Sequence, residues 1–425
     1  MSLLIPSLLY LPGSRTYLAF AEKRTSSKDV DAKCLVIRQM ITNVRPTEWS
    51  PSKELYEELM ITQLPNHRNM NPCPVIPSLL YLPGTRTYLA FAEKRTSKCD
   101  VCAKCLVIRR MTTNVHPTEW SPSKELYKEL KITQLPKYRN MNPCPVYERM
   151  TQTVFLFFIS VPCCVTERKQ IDTGRNQARL CCVSSSDQGA TWGVPRDLTV
   201  SVMGEISVST LAVGPGHGVQ LDSGRLVVPA YAYLPQPGKR ESRAFSIYSD
   251  DGGSLWQMGK QLGSWSNECE VAEVFDGAKS VLCCNARTTG SRRVEAQSTD
   301  GGDTFQMSPE TSMLVETADG CQGSIIAFPA PNQPEGAVRQ TWLAFSHPTN
   351  QSFRRDLGMS LNRAPLQYNW DRPKVIHRGP SGYSDLAYSQ EDQRFSCLLE
   401  CGEKSELEQI AFMSFTLDEI RQTSS

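Results

Sequence analysis

The sequence predicts an all-β fold, a β-propeller, from three observations. A turn motif of the form S-x-D-x-G-x-T-W begins at Ser185 and recurs, with variations, at Ser249 and Ser298. The segments around these motifs are short and rich in valine, isoleucine, tyrosine and phenylalanine, with glycine, proline or aspartate between them, as is typical of strands. Helical periodicity is scarce. The intervals of about 50 to 65 residues between the turns fit one hairpin in each blade of a propeller.

Each copy of the motif carries the residue types that close a tight hairpin. The aspartate can accept backbone N–H bonds within the turn, and the glycine supplies a positive φ. The serine or threonine adds a side-chain hydrogen bond, and the aromatic residue is expected to cover the turn against the sheet. The second copy has Leu255 at the threonine position, and the third has Phe305 at the tryptophan position.

The most apolar run of the chain, residues 154–161 (VFLFFISV), is predicted to be a buried strand. It is less than half as long as the ~20 residues that a membrane-spanning helix needs. Contact of residues 157–165 with a bilayer surface is the alternative. Near the C-terminus, residues 409–417 (QIAFMSFTL) read as a strand and residues 418–422 (DEIRQ) as a short helical tail.

Composition restricts the class of protein and its compartment. The 425 residues are 40% hydrophobic and 21% charged, which suits a globular protein, and the net charge of +2 gives no argument for binding nucleic acid. The N-terminus, MSLLIPSLLYLPG, lacks a basic segment and is broken by prolines, so no secretory signal is predicted. The sixteen cysteines are therefore expected to be free thiols in a reducing compartment.

The chain repeats its own beginning. Residues 5–75 align with residues 76–146 without a gap, and 60 of the 71 positions are identical. Solenoid repeats have periods of ~20–50 residues and diverge more. This pair is therefore interpreted as a recent tandem duplication, or as an error in assembling the coding sequence. Residues 76–425 are predicted to form the propeller and residues 1–75 an appendage, because the second copy joins the downstream sequence directly.

The second copy and everything after it resemble the animal sialidases. The resemblance runs from about residue 76 to the C-terminus and rests on segments such as FAEKR, RNMNPCPV, VTERKQ, AVGPGHG, VPAYAY, NECEVAEV, NARTTG, GCQGS, RRDLG and GYSDLA. TGRNQARLC and ECGEKSELEQIAF are most similar to the plasma-membrane-associated, ganglioside-preferring members. The resemblance implies a six-bladed propeller with Asp-box turns, and an exo-sialidase in the cytoplasm or peripheral to the plasma membrane. No cofactor is predicted.

In this family a tyrosine replaces the carboxylate nucleophile of most glycosidases. Sialic acid carries a carboxylate on its anomeric carbon, so an anionic carboxylate nucleophile would be repelled. A glutamate takes the phenolic proton, which lowers the cost of activating a group whose pKa is ~10. Three arginines bind the substrate carboxylate, because guanidinium groups offer paired donors that stay charged.

Matched motif by motif, the resemblance implies catalytic roles for Tyr383 as nucleophile, Glu268 as its base and Asp100 as the acid/base. It implies that Arg287 and Arg354 are two arms of the carboxylate clamp. The other substrate-binding residues that it implies are Arg95, Met141, Glu167, Tyr231, Tyr233, Gln322 and Glu400.

The third clamp arginine is missing. The family has Arg-Ile-Pro where this chain has Leu4 and Val75 before its two Ile-Pro pairs. Glu400 matches the acid that orients this arginine and is therefore expected to lack its partner, which leaves a clamp of two arms. The chain is interpreted as an exo-sialidase acting on sialylated glycolipids and glycoproteins. A catalytically weak or inactive sialoside-binding propeller is the alternative.

Several other motifs have two interpretations. The first copy of the repeat offers Asp29 and Arg24 at the places of the acid/base and of the pocket arginine. Residues 99–105 have the metal-ligand spacing C-x-x-C-x-x-C, but the first copy keeps one cysteine of the three, so no metal site is predicted. His217 is interpreted as a turn or packing residue rather than a general base. Glycosylation at Asn350 would need a secretory route.

Overall fold

A computed structural model divides the chain into two units, Met1–Met70 and Asn71–Ser425. The residues that it describes are 2–11, 16–24, 32–41, 53–54, 73–95, 100–113, 120–126, 130, 138–236, 239–276, 279–309, 312–333 and 339–421. The first unit is an antiparallel sheet of four strands in sequence order, Ser2–Leu11 (β1), Thr16–Arg24 (β2), Ala32–Ile41 (β3) and Lys53–Glu54 (β4). Asp29 lies outside the described residues.

The second unit is an all-β propeller whose antiparallel sheets follow one another along the chain. The second copy of the repeat forms its first sheet, made of Cys73–Leu82 (β5), Thr87–Arg95 (β6), Ala103–Thr112 (β7) and Lys124–Glu125 (β8). The next sheet consists of Tyr138–Glu148 (β9), Thr153–Pro162 (β10), Arg179–Ser185 (β11) and Arg196–Asp197 (β12).

Three more sheets complete the unit. The third contains Thr210–Val213 (β13), Val219–Gln220 (β14), Leu226–Gln236 (β15), Lys239–Ser249 (β16) and Gln257–Met258 (β17). The fourth contains Cys269–Asp276 (β18), Lys279–Ala286 (β19), Val294–Ser298 (β20) and Gln306–Met307 (β21). The fifth contains Ser324–Pro329 (β22), Thr341–Pro348 (β23), Arg355–Asn362 (β24), Lys374–Ser389 (β25), Arg394–Cys401 (β26) and Gln409–Thr416 (β27).

The sequence predicted six blades, whereas the described residues of the second unit form five sheets. The difference lies in β25, which is 16 residues long. Its first half pairs with β24, as Pro380 opposite Arg355 shows, and its second half pairs with β26, as Ser381 opposite Cys401 shows. One continuous strand therefore joins the last two sets of strands into a single six-stranded sheet.

Helices are few among the described residues and lie between or after the strands: Glu167–Thr173 (α1), Thr199–Met203 (α2) and Leu417–Arg421 (α3). The last follows β27, as the C-terminal pattern predicted. The predicted buried strand at residues 154–161 is confirmed, because β10 is buried along all of these positions. No helix in the described part of the chain is both long enough and apolar enough to span a membrane.

The hydrophobic core is divided into layers between neighbouring sheets. One cluster joins the first sheet to the second, and it includes Phe91 of β6 and Phe158 of β10. Another joins the second sheet to the third. A further cluster packs Leu79 and Tyr88 of the first sheet against Leu398 of the fifth, so the first and last sheets are also in contact. Apolar burial thus closes the ring and stabilises every sheet against its neighbours.

The three predicted turns share one hydrogen-bond pattern. In the first, the Ser185 hydroxyl donates to Asp187 at 2.8 Å, and Asp187 accepts the backbone N–H of Thr191 at 2.8 Å. The turns that contain Asp251 and Asp300 have the equivalent bonds. The aromatic residues of these turns pack into the layers between sheets, and in the second turn Trp256 lies edge-on to Phe155 and Phe157.

Gly253 in the second turn provides a test of this packing. Its φ is +92°, and a Cβ placed there would lie 2.3 Å from the Phe155 ring. We expect Gly253→Ala to lower the free energy of unfolding by about 2–4 kcal/mol, because strain from positive φ adds to overpacking. Gly252→Ala is the matched control, since Gly252 also has a positive φ but has no atom near its Cβ position. Equal losses in urea denaturation would show that the Phe155 contact is unimportant.

Candidate active site

A cavity of about 680 Å³ opens among residues on or next to strands of all five sheets. Tyr383 from β25 and Glu268, which immediately precedes β18, lie side by side in its wall. The Tyr383 hydroxyl donates a hydrogen bond of 2.5 Å to Glu268 Oε1, and both residues are buried. Burial and the neighbouring Glu268 charge raise the pKa of Tyr383 well above its usual value, while Arg287 and Arg354 act in the opposite direction. The resting phenol is therefore neutral.

Arg287, which follows β19, connects the two members of this pair. Its Nη1 lies 2.7 Å from Glu268 Oε2 and 3.1 Å from the Tyr383 hydroxyl. Arg354, just before β24, places its guanidinium carbon 5.3 Å from the centre of the Tyr383 ring. Two guanidinium groups thus lie beside the phenol, which is the environment that lowers the free energy of a phenolate and attracts an anionic ligand.

A turn at Asp319 and Gly320 holds both arginines. The Asp319 carbonyl accepts a hydrogen bond of 2.5 Å from Arg287 Nη2, and the Gly320 carbonyl accepts one of 2.9 Å from Arg354 Nη2. Gly320 has φ +71°, and a Cβ there would lie 2.6 Å from Arg287 Nε, so a side chain would displace the arginine. Sequence reasoning missed this turn, although an Asp-Gly pair is a turn signal.

Glu400 of β26 lies beneath the Tyr383 strand and binds two backbone groups instead of a cation. Its carboxylate oxygens accept the N–H of Ile76 at 2.7 Å and the N–H of Tyr383 at 3.0 Å. Ile76 has φ +56°, which is strained for a β-branched residue, and its side chain lines the cavity. Val75 is buried but does not line the cavity. The missing arginine was expected at Val75, but of these two residues only Ile76 lines the cavity.

Burial raises the pKa of Glu400 from 4.5 to about 7, and the bonds from Ile76 and Tyr383 partly offset this effect. The folded chain therefore binds one more proton than the unfolded chain between these pH values, so the free energy of unfolding should fall as the pH rises from 4.5 to 7. The decrease from this single group should be about 3 kcal/mol at most. We expect Glu400→Gln to remove this dependence in urea denaturation, whereas the same change at exposed Glu403 should leave it intact.

The part of the cavity opposite Tyr383 contains a buried ion pair. Arg95 at the end of β6 pairs with Glu93 at 2.6 Å, and Glu93 also accepts the N–H of Asn142 at 2.7 Å. Next to them, the fully buried Arg139 donates to the Met141 sulfur at 3.2 Å and to backbone carbonyls. Arg95 and Met141 were predicted to line the site. Glu93, Arg139 and Asn142 were not, because no motif distinguished them from structural strand residues.

A third wall is aromatic. The hydroxyl of Tyr231 donates to Glu167 at 3.3 Å, and the Tyr231 and Tyr233 rings meet edge to face at 6.3 Å. Asn267 donates to the Tyr233 hydroxyl at 2.9 Å, and Trp265 lies nearby in the lining. The structure therefore brings these three predicted residues into the same cavity as Tyr383. Burial raises the pKa values of Tyr231 and Tyr233, so both rings are neutral donors.

Four predicted site residues are not among those that line the cavity: Arg354 and Glu400, described above, and Gln322 and Asp100. Gln322 is buried and does not line the cavity; it accepts the N–H of Ser384 at 3.0 Å and donates to Glu270 at 3.1 Å. Asp100 begins a short 3-10 turn, Asp100–Cys102, between β6 and β7, and its side chain lies outside the described residues.

Comparison with known proteins identifies the family. A family model described as a BNR repeat-like domain matches residues 84–395. Sialidase-3 of Bos taurus is 45% identical over 387 residues, which cover 81% of this chain and 90% of the relative. Sialidase-2 of Mus musculus is 42% identical over 355 residues, with 80% and 92% covered. The chain belongs to the animal sialidase family, and it is a glycoside hydrolase of the exo-sialidase type.

Solved structures with low sequence identity share the fold. The Hadza microbial sialidase Hz136 superposes with a TM-score of 0.70 at 22% identity, over 92% of this chain and 75% of that one. The intramolecular trans-sialidase from Ruminococcus gnavus gives a TM-score of 0.64 at 16% identity, over 86% of this chain and 99% of that one.

Proposed function

We propose that this chain is a retaining exo-sialidase in which Tyr383 is the nucleophile and Glu268 its base. The observation that carries the proposal is the buried 2.5 Å hydrogen bond between the Tyr383 hydroxyl and Glu268, in a cavity that also receives arginines. A phenol with a carboxylate partner can lose its proton at the moment of attack. A neutral phenol can also approach a sialic acid without charge repulsion, whereas an anionic carboxylate in its place would be repelled by the substrate carboxylate.

In the first chemical step the Tyr383 oxygen attacks the anomeric carbon, and its proton passes to Glu268. Arg287 is within hydrogen-bond distance of both groups, so it can stabilise the developing phenolate and then the new aryl ether. Arg287 and Arg354 bind the substrate carboxylate as paired cationic donors. The leaving group takes a proton from Asp100, by the motif match. Water then attacks the anomeric carbon with Asp100 as base, the bond from that carbon to the Tyr383 oxygen breaks, and Tyr383 regains its proton from Glu268. Two displacements at one carbon retain its configuration.

The other proposed substrate-binding residues contact separate parts of the sugar. Arg95, Met141, Glu167, Tyr231 and Tyr233 contact the glycerol, N-acyl and ring hydroxyl groups. Their support is that all five line the same cavity as Tyr383. Neutral phenols and an amide-rich wall suit uncharged hydroxyl and acetamido groups, because each finds a partner when water is displaced.

The substrates are terminal sialic acids of gangliosides and other sialylated glycolipids and glycoproteins, at the plasma membrane surface or in the cytoplasm. Resemblance of TGRNQARLC and ECGEKSELEQIAF to the ganglioside-preferring members supports the first class.

The three turns with Asp187, Asp251 and Asp300 are interpreted as Asp boxes, and the two strand sets joined by β25 as the fifth and sixth blades. The aspartates accept hydrogen bonds within their own turns, so the turns are assigned a structural role.

Covalent trapping tests the proposed nucleophile. A 2,3-difluorosialic acid should react with the protein, because fluorine slows the second displacement more than the addition of the tyrosine. Mass spectrometry of a digest should then find the sugar on the peptide that contains Tyr383. Tyr383→Phe should give no adduct there. An adduct on another residue, or inverted product in a proton NMR time course, would refute the mechanism.

A further inference from the structure

Below the Tyr383–Glu268 pair, a buried polar cluster separates the active-site cavity from a second cavity. Its acids are Glu270 on β18 and Asp385 on β25, each two residues from a proposed catalytic residue and each fully buried. Ser324 at the start of β22 and His217 complete the cluster. His217 lines the second cavity, which has a volume of about 330 Å³.

The hydrogen-bond count of this cluster requires an additional proton. The Ser324 hydroxyl lies 2.7 Å from Glu270 Oε2 and 3.0 Å from Asp385 Oδ1, and it accepts the N–H of Leu386 at 3.0 Å. A hydroxyl has one hydrogen and can donate to one of the two acids only. If both acids were ionised, the other short contact would join two oxygens with no hydrogen between them. One carboxyl group must therefore donate to Ser324.

The partners of each acid indicate which one holds the proton. Asp385 accepts the N–H groups of Leu79 at 2.5 Å and Leu386 at 3.0 Å, and it lies 2.7 Å from His217 Nδ1. These donors stabilise an ionised Asp385. Glu270 accepts one backbone N–H, from Ile325 at 2.9 Å, and one amide hydrogen from Gln322. Burial and the Asp385 charge raise the pKa of Glu270 well above its usual value, in agreement with this assignment.

We propose that Glu270 keeps a proton at neutral pH and acts as a positioning residue for Tyr383, an inference that rests on the proposed function of Tyr383. The path is short: Glu270 accepts from the Gln322 amide, and the Gln322 oxygen holds the N–H of Ser384, the residue after Tyr383. A second path passes through Ser324. The protonated Glu270 donates to the Ser324 hydroxyl, which in turn donates to Asp385 on the Tyr383 strand. Loss of that proton would place two carboxylates against one hydroxyl and displace the strand.

The other groups near Glu270 and Asp385 supply little positive charge that could neutralise two ionised carboxylates. Thiols face the cluster from three strands, Cys144 of β9, Cys269 of β18 and Cys397 of β26. Burial raises the pKa values of Cys144 and Cys397, and the hydrogen bond with Cys284, together with burial, raises that of Cys269. The imidazole Nδ1 of His217 lies 2.7 Å from Asp385 Oδ1 and 3.9 Å from Glu270 Oε2. Among the described residues, no arginine or lysine forms an ion pair with either acid.

The test compares pH profiles of kcat and KM for the full chain, Glu270→Gln and Glu273→Gln. The wild type should show a decline of kcat at alkaline pH. Glutamine is neutral at every pH, so Glu270→Gln should lose this decline and keep kcat within about threefold near neutrality, with KM changed little. Glu273 is on the same strand but outside the cluster, so Glu273→Gln should keep that decline. An unchanged alkaline decline in Glu270→Gln would overturn the proposal.

An infrared measurement tests the proton without any activity. The measurement uses chain labelled with ¹³C-glutamate in a Glu400→Gln background, which removes the carboxyl group whose pKa is about 7. This chain should show the carbonyl band of a protonated glutamic acid at neutral pH, and the band should persist when Tyr383→Phe is added but lose intensity when Glu270→Gln is added. If the chain with Glu270→Gln does not fold, the band in the labelled Glu400→Gln chain still decides. Its absence, or a stoichiometric divalent metal found by elemental analysis and lost in His217→Ala, would overturn the proposal. Activity in Tyr383→Phe would refute only the proposed nucleophile.

Discussion

Tyr383→Phe is expected to lower kcat for a fluorogenic sialoside by roughly 10³- to 10⁵-fold, the scale seen when an enzyme loses its nucleophile. The change removes one oxygen from a ring that otherwise keeps its position over Arg354. KM should change much less, because the arginines and the other walls of the cavity remain. Steady-state kinetics with a purified chain measures both constants.

Two further variants separate the nucleophile from its base. Glu268→Gln should cost about 10²- to 10⁴-fold in kcat, since it removes proton transfer but leaves the phenol in place. The double variant should lose little more than Tyr383→Phe alone, because residues that act as a unit are not additive. Tyr388→Phe is the matched control, as Tyr388 lies on the same strand but packs against Phe328 and Phe395. A Tyr383→Phe enzyme with near-normal kcat would rule out the proposed mechanism.

Short motifs singled out three residues that the structure places together. Tyr383, Glu268 and Arg287 were each assigned from a segment of five or so residues, and the structure brings their side chains within about 3 Å of one another. This proximity has a physical reason. Glu268 and Arg287 lie next to strand ends, and Tyr383 lies within β25, so the local strand fixes the direction of each side chain and the propeller then brings the strands together.

The parts that depend on tertiary contacts were not predictable from motifs. Gln322 was expected in the substrate pocket, but its amide is used to connect Glu270 to the backbone after Tyr383. His217 was interpreted as a turn or packing residue, and nothing in the sequence indicated its partner Asp385, which is 168 residues away. Buried polar groups require partners, and which partner is available depends on the packing of distant strands.

The number of sheets also depends on a detail that the turn motifs do not report. Three turn motifs indicated a propeller because hairpins recur at regular intervals. They say nothing about residues 374–389, where one strand continues from one set of strands into the next. A shift in the strand register between Ser381 and Ser384 marks this transition. Strand continuity of this kind arises from packing and not from a local turn signal.

Restoring a cation beside Glu400 is expected to raise kcat/KM by about ten- to a hundredfold, provided it is placed at position 76. A charge-assisted hydrogen bond in such a site contributes roughly 1.5–3 kcal/mol, which corresponds to that factor. The chain as it stands should hydrolyse a fluorogenic sialoside weakly. Ile76 lines the cavity and its N–H donates to Glu400, so Ile76→Arg adds a guanidinium to the cavity beside the proposed clamp of Arg287 and Arg354.

The comparison of three variants identifies the cause of any gain. Ile76→Leu removes β-branching at φ +56° without adding charge, so it measures relief of strain alone. Val75→Arg places the cation at the position that sequence matching indicated, where the side chain is 2% exposed and outside the cavity lining. It should destabilise the fold without increasing activity, because a buried cation without a partner is costly. If Val75→Arg restores kcat/KM and Ile76→Arg does not, the strand must shift by one residue in the active enzyme, and the vacant arm of the clamp is at Val75.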